Sequence, residues 1–194
     1  MSKGRILVDM DGVLSDFESE LARRWRELWP DDPIEEHLER TDFEYDTVTG
    51  TIEDMNQKFN QIWDTAGFFE ALPPIAGGRE AIKSLLAADY DVRIVTSASA
   101  QLKAFSEKAN WVHRYLDDDW VRRMVVTHDK YFIDGDVLID DRVDVAKGQP
   151  TSWRQIIYDQ PYNRHVDDRP RISWSDDDWL TTVEQTVAQL QANR

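Results

Sequence analysis

Residues 7–14 read LVDMDGVL: a short apolar run, two aspartates one residue apart, then a glycine. The run starts at Ile6 and is apolar and continuous over 6–8, with β-branched residues at 6 and 8, the pattern of a strand buried on both faces. Carboxylates resist burial, so Asp9 and Asp11 belong at the exit of that strand. Four further runs of the same kind stand at 92–95, 124–126, 137–139 and 156–158. Between them lie amphipathic stretches. GGREAIKSLLAA (77–88) precedes the second run, and AQLKAFSEKANWVHRYL (100–116) follows it, with Leu102, Phe105, Ala109, Val112 and Leu116 at helical spacing. Strands alternating with helices predict a parallel α/β sheet with crossover connections.

The interval after the first strand breaks this rhythm. Some sixty residues separate it from PPIAGG (73–78), far more than the roughly 10–12 that a crossover needs. This interval is read as an inserted unit. It holds one helix through FESELARRWRELW (17–29), ended by Pro30 and Pro33, an irregular stretch RTDFEYDTVTG (40–50), and a second helix in TIEDMNQKFNQIW (51–63) capped by Thr51. The expected division is a core of 1–13 and 76–194 with a helical cap of 14–75. After the last strand, Pro161 and Pro170 enforce loop, and Leu180, Val183, Val187 and Leu190 outline a closing helix.

Composition narrows the function. The 194 residues suit one domain with a sub-domain inserted in it, and 8 Trp, 7 Phe and 6 Tyr supply burial area for a core. A formal charge of −15, from 38 acidic against 23 basic residues, repels a nucleic-acid backbone. A small anionic substrate needs a local metal or lysine to invert that field. Much of the excess is read as solvated surface, notably the aspartate runs 117–119 and 176–178. The absence of cysteine excludes disulfides and thiolate zinc sites. No segment approaches the ~18 apolar residues of a membrane span, and the expectation is a soluble, cytoplasmic protein with no membrane or nucleic-acid partner.

The polar residues at the strand exits form a set: Asp9 and Asp11 after the first, Thr96 and Ser97 after the second, Lys130 beyond the third, Asp140 and Asp141 after the fourth. In a parallel sheet all carboxyl ends share one edge, where ligands bind, so residues spread along the chain converge. Clustered carboxylates repel one another unless a cation sits among them, and Mg²⁺ takes such hard oxygen ligands together with phosphate and water. Lys130 and the Thr96 hydroxyl complement phosphoryl oxygens, and an ionised aspartate can act as nucleophile. His128, adjacent to this set, is the alternative and is read as structural.

The motifs DMDGVL, VTSAS, HDK and LIDD resemble those of the haloacid dehalogenase-like phosphohydrolases. DMDGVLSDFE, IWDTAGFFEALPPIAG, LIDDRVD with SWRQIIY, and SWSDDDW are similar to the 5′(3′)-deoxyribonucleotidase branch over nearly the whole chain. The resemblance implies a Rossmann-like parallel sheet of order 3-2-1-4-5 flanked by helices, with a small helical cap after the first strand. It implies Asp9 as nucleophile, Asp11 as general acid and base, and Thr96 and Lys130 as phosphoryl ligands. Mg²⁺ would be held by Asp9, the Asp11 carbonyl and Asp140, with Asp141 closing the site. The cap positions that match the branch's base-binding aromatics are Phe17, Phe43, Trp63 and Phe69. Two residues depart from the branch: Ala98 stands where proline is usual, and Glu44 where an aromatic is usual, which bears on base preference. The expected activity is Mg²⁺-dependent hydrolysis of deoxyribonucleoside monophosphates by a homodimer. A sugar-phosphate phosphatase and a receiver-like phosphoacceptor module are the alternatives.

Overall fold

Strand β1 (Arg5–Val8) sits inside an all-parallel sheet, hydrogen-bonded on either side to strands that come much later in the chain. The computed structural model describes residues 2–45, 50–98 and 102–193. After β1 come α1 (Phe17–Leu28), α2 (Ile52–Trp63), the single turn α3 (Phe68–Ala71) and α4 (Gly78–Ala87). They are followed by β2 (Asp91–Thr96), α5 (Leu102–Tyr115), the turn α6 (Asp118–Val121), β3 (Met124–Val126), β4 (Val137–Asp140), β5 (Arg154–Tyr158), β6 (Arg171–Ile172) and α7 (Trp179–Ala192).

The sheet order is 3-2-1-4-5-6. All five expected strands are present in the expected order, and β6 adds a sixth at the edge, where Arg171 and Ile172 pair with Ile157 and Tyr158. Two residues directly after Pro170 carry no alternation to read, which is why this strand was expected to be loop.

Alternation along the strands builds two apolar layers. Ile6, Val8, Ile94, Val137 and Ile139 join Ala81, Ile82 and Leu85 of α4, Trp111 and Val112 of α5, and Val183 and Val187 of α7. Leu7, Val95 and Leu138 face the other way, onto Val145 and Trp153. Each such aliphatic side chain contributes about 1.5–3 kcal/mol relative to exposure. Leu21 and Trp25 of α1 and Met55, Phe59 and Ile62 of α2 belong to the larger layer, so the inserted helices share the core of the sheet.

Helix α5 departs from its expected face. Leu102 is 87% exposed and Phe105 42%, whereas Ala104, Glu107, Lys108, Trp111 and Val112 are buried. The apolar spacing had left Glu107 and Lys108 in solvent; both are buried because each has a partner described below. Thr51 does cap α2, accepting from the Asp54 amide at 3.2 Å in a capping box. Within the stretch 40–50, residues 46–49 lie outside the described residues. The aspartate runs 117–119 and 176–178 are exposed, and among the described residues no helix is long and apolar enough to cross a membrane.

Candidate active site

Sheet register assembles the site. Val8 pairs with Ile139 and Ile94, so Asp9 leaves β1 beside Asp140 of β4, with Thr96 at the end of β2. The chain then turns tightly: the Met10 carbonyl accepts from the amides of Leu14 and Ser15 at 2.7 and 2.8 Å, and Gly12 adopts φ +76°. That left-handed conformation favours glycine, and a Cβ at residue 12 would meet Asp141 Oδ2 at 2.6 Å. Gln160 donates to the Gly12 carbonyl at 2.7 Å and Trp174 to that of Val13 at 2.7 Å. The aspartate loop is therefore held from the far end of the chain.

Asp9, Asp140 and Asp141 are all buried, and one oxygen from each lies within 4.8 Å of the others. Lys130, also buried, donates to Asp9 Oδ1 at 2.8 Å and Asp140 Oδ2 at 2.6 Å. The Met10 amide donates to the same Asp9 oxygen at 2.7 Å. Burial alone would lower the Lys130 pKa, but the Asp140 and Asp9 carboxylates outweigh it and raise it. Burial pushes the Asp140 carboxyl up to about 6 and Asp141 well above the usual range, and for each the neighbouring carboxylates add to the rise.

Asp11 points elsewhere. Ser15 Oγ donates to its Oδ1 at 3.1 Å, and its Oδ2 is held by Lys108 Nζ, which also reaches Thr96 Oγ1 at 2.9 Å. Four carboxylates (Asp9, Asp11, Asp140, Asp141) thus face two buried ammonium groups, leaving a formal charge of −2. Asp141 Oδ1 is buried without a hydrogen-bond partner among the described residues. Hard oxygen donors, a deficit of two positive charges and an orphaned carboxylate oxygen fit a divalent cation such as Mg²⁺.

A cavity of about 180 Å³ opens beside this cluster. Asp9, Asp11, Thr96, Ser97, Lys130 and Asp141 line it, together with Phe17, Phe43, Glu18 and Tyr162. Asp140 lies beneath them, fully buried. His128, read as structural from the sequence, also lines the cavity. Trp63 and Phe69 are not among its lining residues. They pack against Phe17, with ring centroids 6.2 and 6.4 Å from it. Exposed Glu44 lines an adjoining cavity together with Phe43, Arg142 and His165.

Several contributing residues escaped the sequence reading. Lys108 is one. Glu107 is another: its carboxylate accepts from the amides of Gly67 and Phe69 at 2.8 and 3.1 Å, tying the inserted segment to α5. Tyr162 donates to Asp141 Oδ2, and Asn163 to the Asp141 carbonyl at 2.8 Å. Arg142 lies 4.4 Å from the Phe43 ring centre, and its amide donates to Asp140 at 2.9 Å. Lys108 lies between Ala104 and Trp111 on the buried stripe of α5, a face that the apolar spacing did not reveal.

Comparison with known proteins agrees with this geometry. Residues 3–189 match the family described as 5′ nucleotidase, deoxy (pyrimidine), cytosolic type C protein. The chain is 36% identical over 188 residues to the human mitochondrial 5′(3′)-deoxyribonucleotidase, covering 93% of this chain and 82% of that one. It is 35% identical over 181 residues to the human cytosolic type, covering 89% and 90%. Among solved structures, a haloacid dehalogenase family hydrolase from Deinococcus radiodurans with bound phosphate and sodium superposes with a TM-score of 0.55 at 13% identity, covering 96% of each chain.

Proposed function

We propose, from the premise that the chain belongs to the deoxy (pyrimidine) cytosolic type C 5′ nucleotidase family and is a hydrolase, that it is a Mg²⁺-dependent phosphatase of deoxyribonucleoside monophosphates. The observation that carries this reading is that Asp9, Asp11, Thr96 and Lys130 line one cavity together with Phe17 and Phe43. The receiver-like alternative lapses with the family assignment.

Asp9 Oδ1 is engaged by Lys130 and the Met10 amide, which leaves Oδ2 to attack phosphorus. As that bond forms, the bond from phosphorus to the sugar oxygen breaks, and Asp11, which takes up a proton with the incoming substrate, gives it to the departing oxygen. In the second half Asp11 takes a proton from water, the water oxygen attacks the aspartyl-phosphate, and phosphate leaves with Asp9 restored. Thr96, Ser97 and Lys130 orient the phosphoryl oxygens, while Lys108 holds the Asp11 carboxylate toward the cavity. Asp9, Asp140, Asp141 and the Asp11 carbonyl would hold the cation, which supplies charge neutralisation to the phosphoryl group when bound.

Residues 14–75 act in this reading as the cap that carries Phe17 and Phe43, against which the base stacks at a gain of about 1–3 kcal/mol. A 2′-hydroxyl buried there without a partner costs roughly 1–3 kcal/mol, so dUMP should be hydrolysed about tenfold or more faster than UMP. Glu44, an acceptor beside Phe43, favours bases that offer N–H donors. The test is phosphate release from deoxyribonucleotides, ribonucleotides and sugar phosphates, with and without EDTA. Deoxyribonucleotides should lead, and activity should vanish on chelation and return with Mg²⁺. Preference for a sugar phosphate, or full activity in excess EDTA after dialysis, would overturn the reading.

A further inference from the structure

A buried ion pair that none of the motif residues accounts for reaches the cavity through Glu18, one of its lining residues, with Arg40 behind it. Arg40, whose side chain is 1% exposed, donates from Nη1 to Glu18 Oε2 at 2.6 Å. From Nη2 it donates to the backbone carbonyl of Phe43. Its guanidinium is stacked 3.7 Å from the ring centre of Tyr45 and 4.7 Å from that of Tyr162. The Tyr45 hydroxyl also donates to Glu18 Oε2. Burial, then the Glu18 carboxylate, holds the Tyr45 phenol above its usual pKa, so it remains a donor.

The two ends of this pair are significant. Glu18 is the residue after Phe17 at the start of α1, and Arg40 grips the main chain of Phe43, so one guanidinium joins the two phenylalanines that line the cavity. A buried ion pair is a poor device for stability alone, because apolar residues of similar volume often do as well or better. What the planar fork adds is direction, with donors fixed toward the Glu18 carboxylate and the Phe43 carbonyl at once. We infer that Arg40, paired with Glu18, is a positioning residue that sets the spacing of Phe17 and Phe43 and thereby selects nucleotides over smaller phosphoesters. The inference rests on the nucleotidase reading.

The test compares steady-state kinetics for dUMP and methyl phosphate in wild type, Arg40→Lys and the double variant Glu18→Leu with Arg40→Met. The double variant leaves no unpaired buried charge, and its thermal unfolding is measured alongside. It should melt as wild type does and show KM for dUMP raised about tenfold, the equivalent of roughly 1.4 kcal/mol, with kcat nearly unchanged. Its kcat/KM for methyl phosphate should fall less than that for dUMP, and in Arg40→Lys, which keeps Glu18 in the cavity lining, it should change by no more than about twofold. Arg40→Lys, with one ammonium in place of the fork, should fall between the two and serves alone if the double variant does not fold. An unchanged KM for dUMP in a folded variant would overturn the inference, as would an equal loss for both substrates. Wild type that hydrolyses methyl phosphate but not dUMP would instead defeat the nucleotidase reading beneath it.

Discussion

Asp9 is surrounded by groups that aim it: Lys130 and the Met10 amide on one oxygen, the cavity beside the other. Asp9→Asn keeps the shape but removes the attacking charge, and kcat should fall by several orders of magnitude while the melting temperature changes little. Gly12 makes a second, quieter demand. A methyl at residue 12 would meet Asp141 Oδ2 at 2.6 Å in a backbone conformation of φ +76°. Gly12→Ala should lower kcat by about a hundredfold by displacing the acid loop and should cost about 1–2 kcal/mol of stability, read by kinetics and thermal unfolding together. At this scale the four motif clusters were legible in the sequence as a set, because carboxylates and threonine directly after apolar runs, and a lysine a few residues beyond one, recur at successive strand ends. Lys108 and Arg40 were not. A lysine inside a helix or an arginine in a loop reads as surface until its carboxylate partner, here Asp11 or Glu18, is brought to it by long-range folding.

At the scale of elements, the five longer strands and the major helices follow from period and punctuation. Where the reading failed, it failed for identifiable reasons. Helix α5 is turned so that Glu107 and Lys108 face inward while Leu102 and Phe105 face solvent. Backbone amides on the Glu107 carboxylate and the Asp11 partner of Lys108 satisfy both buried charges, and a pattern that treats every charge as exposed cannot anticipate that. Strand β6 is too short to carry a pattern at all. The cap of α2 was legible, since Thr51 and Asp54 form the reciprocal pair that such a sequence offers. Thr51→Ala should cost about 1 kcal/mol. That corresponds to about 2–4 °C in melting temperature for a chain of this size, with kcat unchanged because Thr51 lies outside the cavity.

Across the whole molecule, a formal charge of −15 opposes the approach of a dianionic nucleotide, and the buried lysines act only at short range. Screening should help: between about 0.01 and 0.15 M salt the Debye length falls from about 30 to about 8 Å, and KM for dUMP should decrease over that range while kcat holds. A KM that rises instead would mean that the lysines and the bound cation dominate the field even at a distance. The central claim is that the polar strand ends make Asp9 a phosphate acceptor in turnover of a deoxyribonucleotide, and acid quenching of wild type turning over radiolabelled dUMP tests it most directly. The account predicts label on the peptide containing Asp9, stable to acid and released by hydroxylamine as an acyl phosphate is. Acid-labile label on the peptide containing His128, or rapid turnover with no labelled enzyme at any quench time, would contradict it.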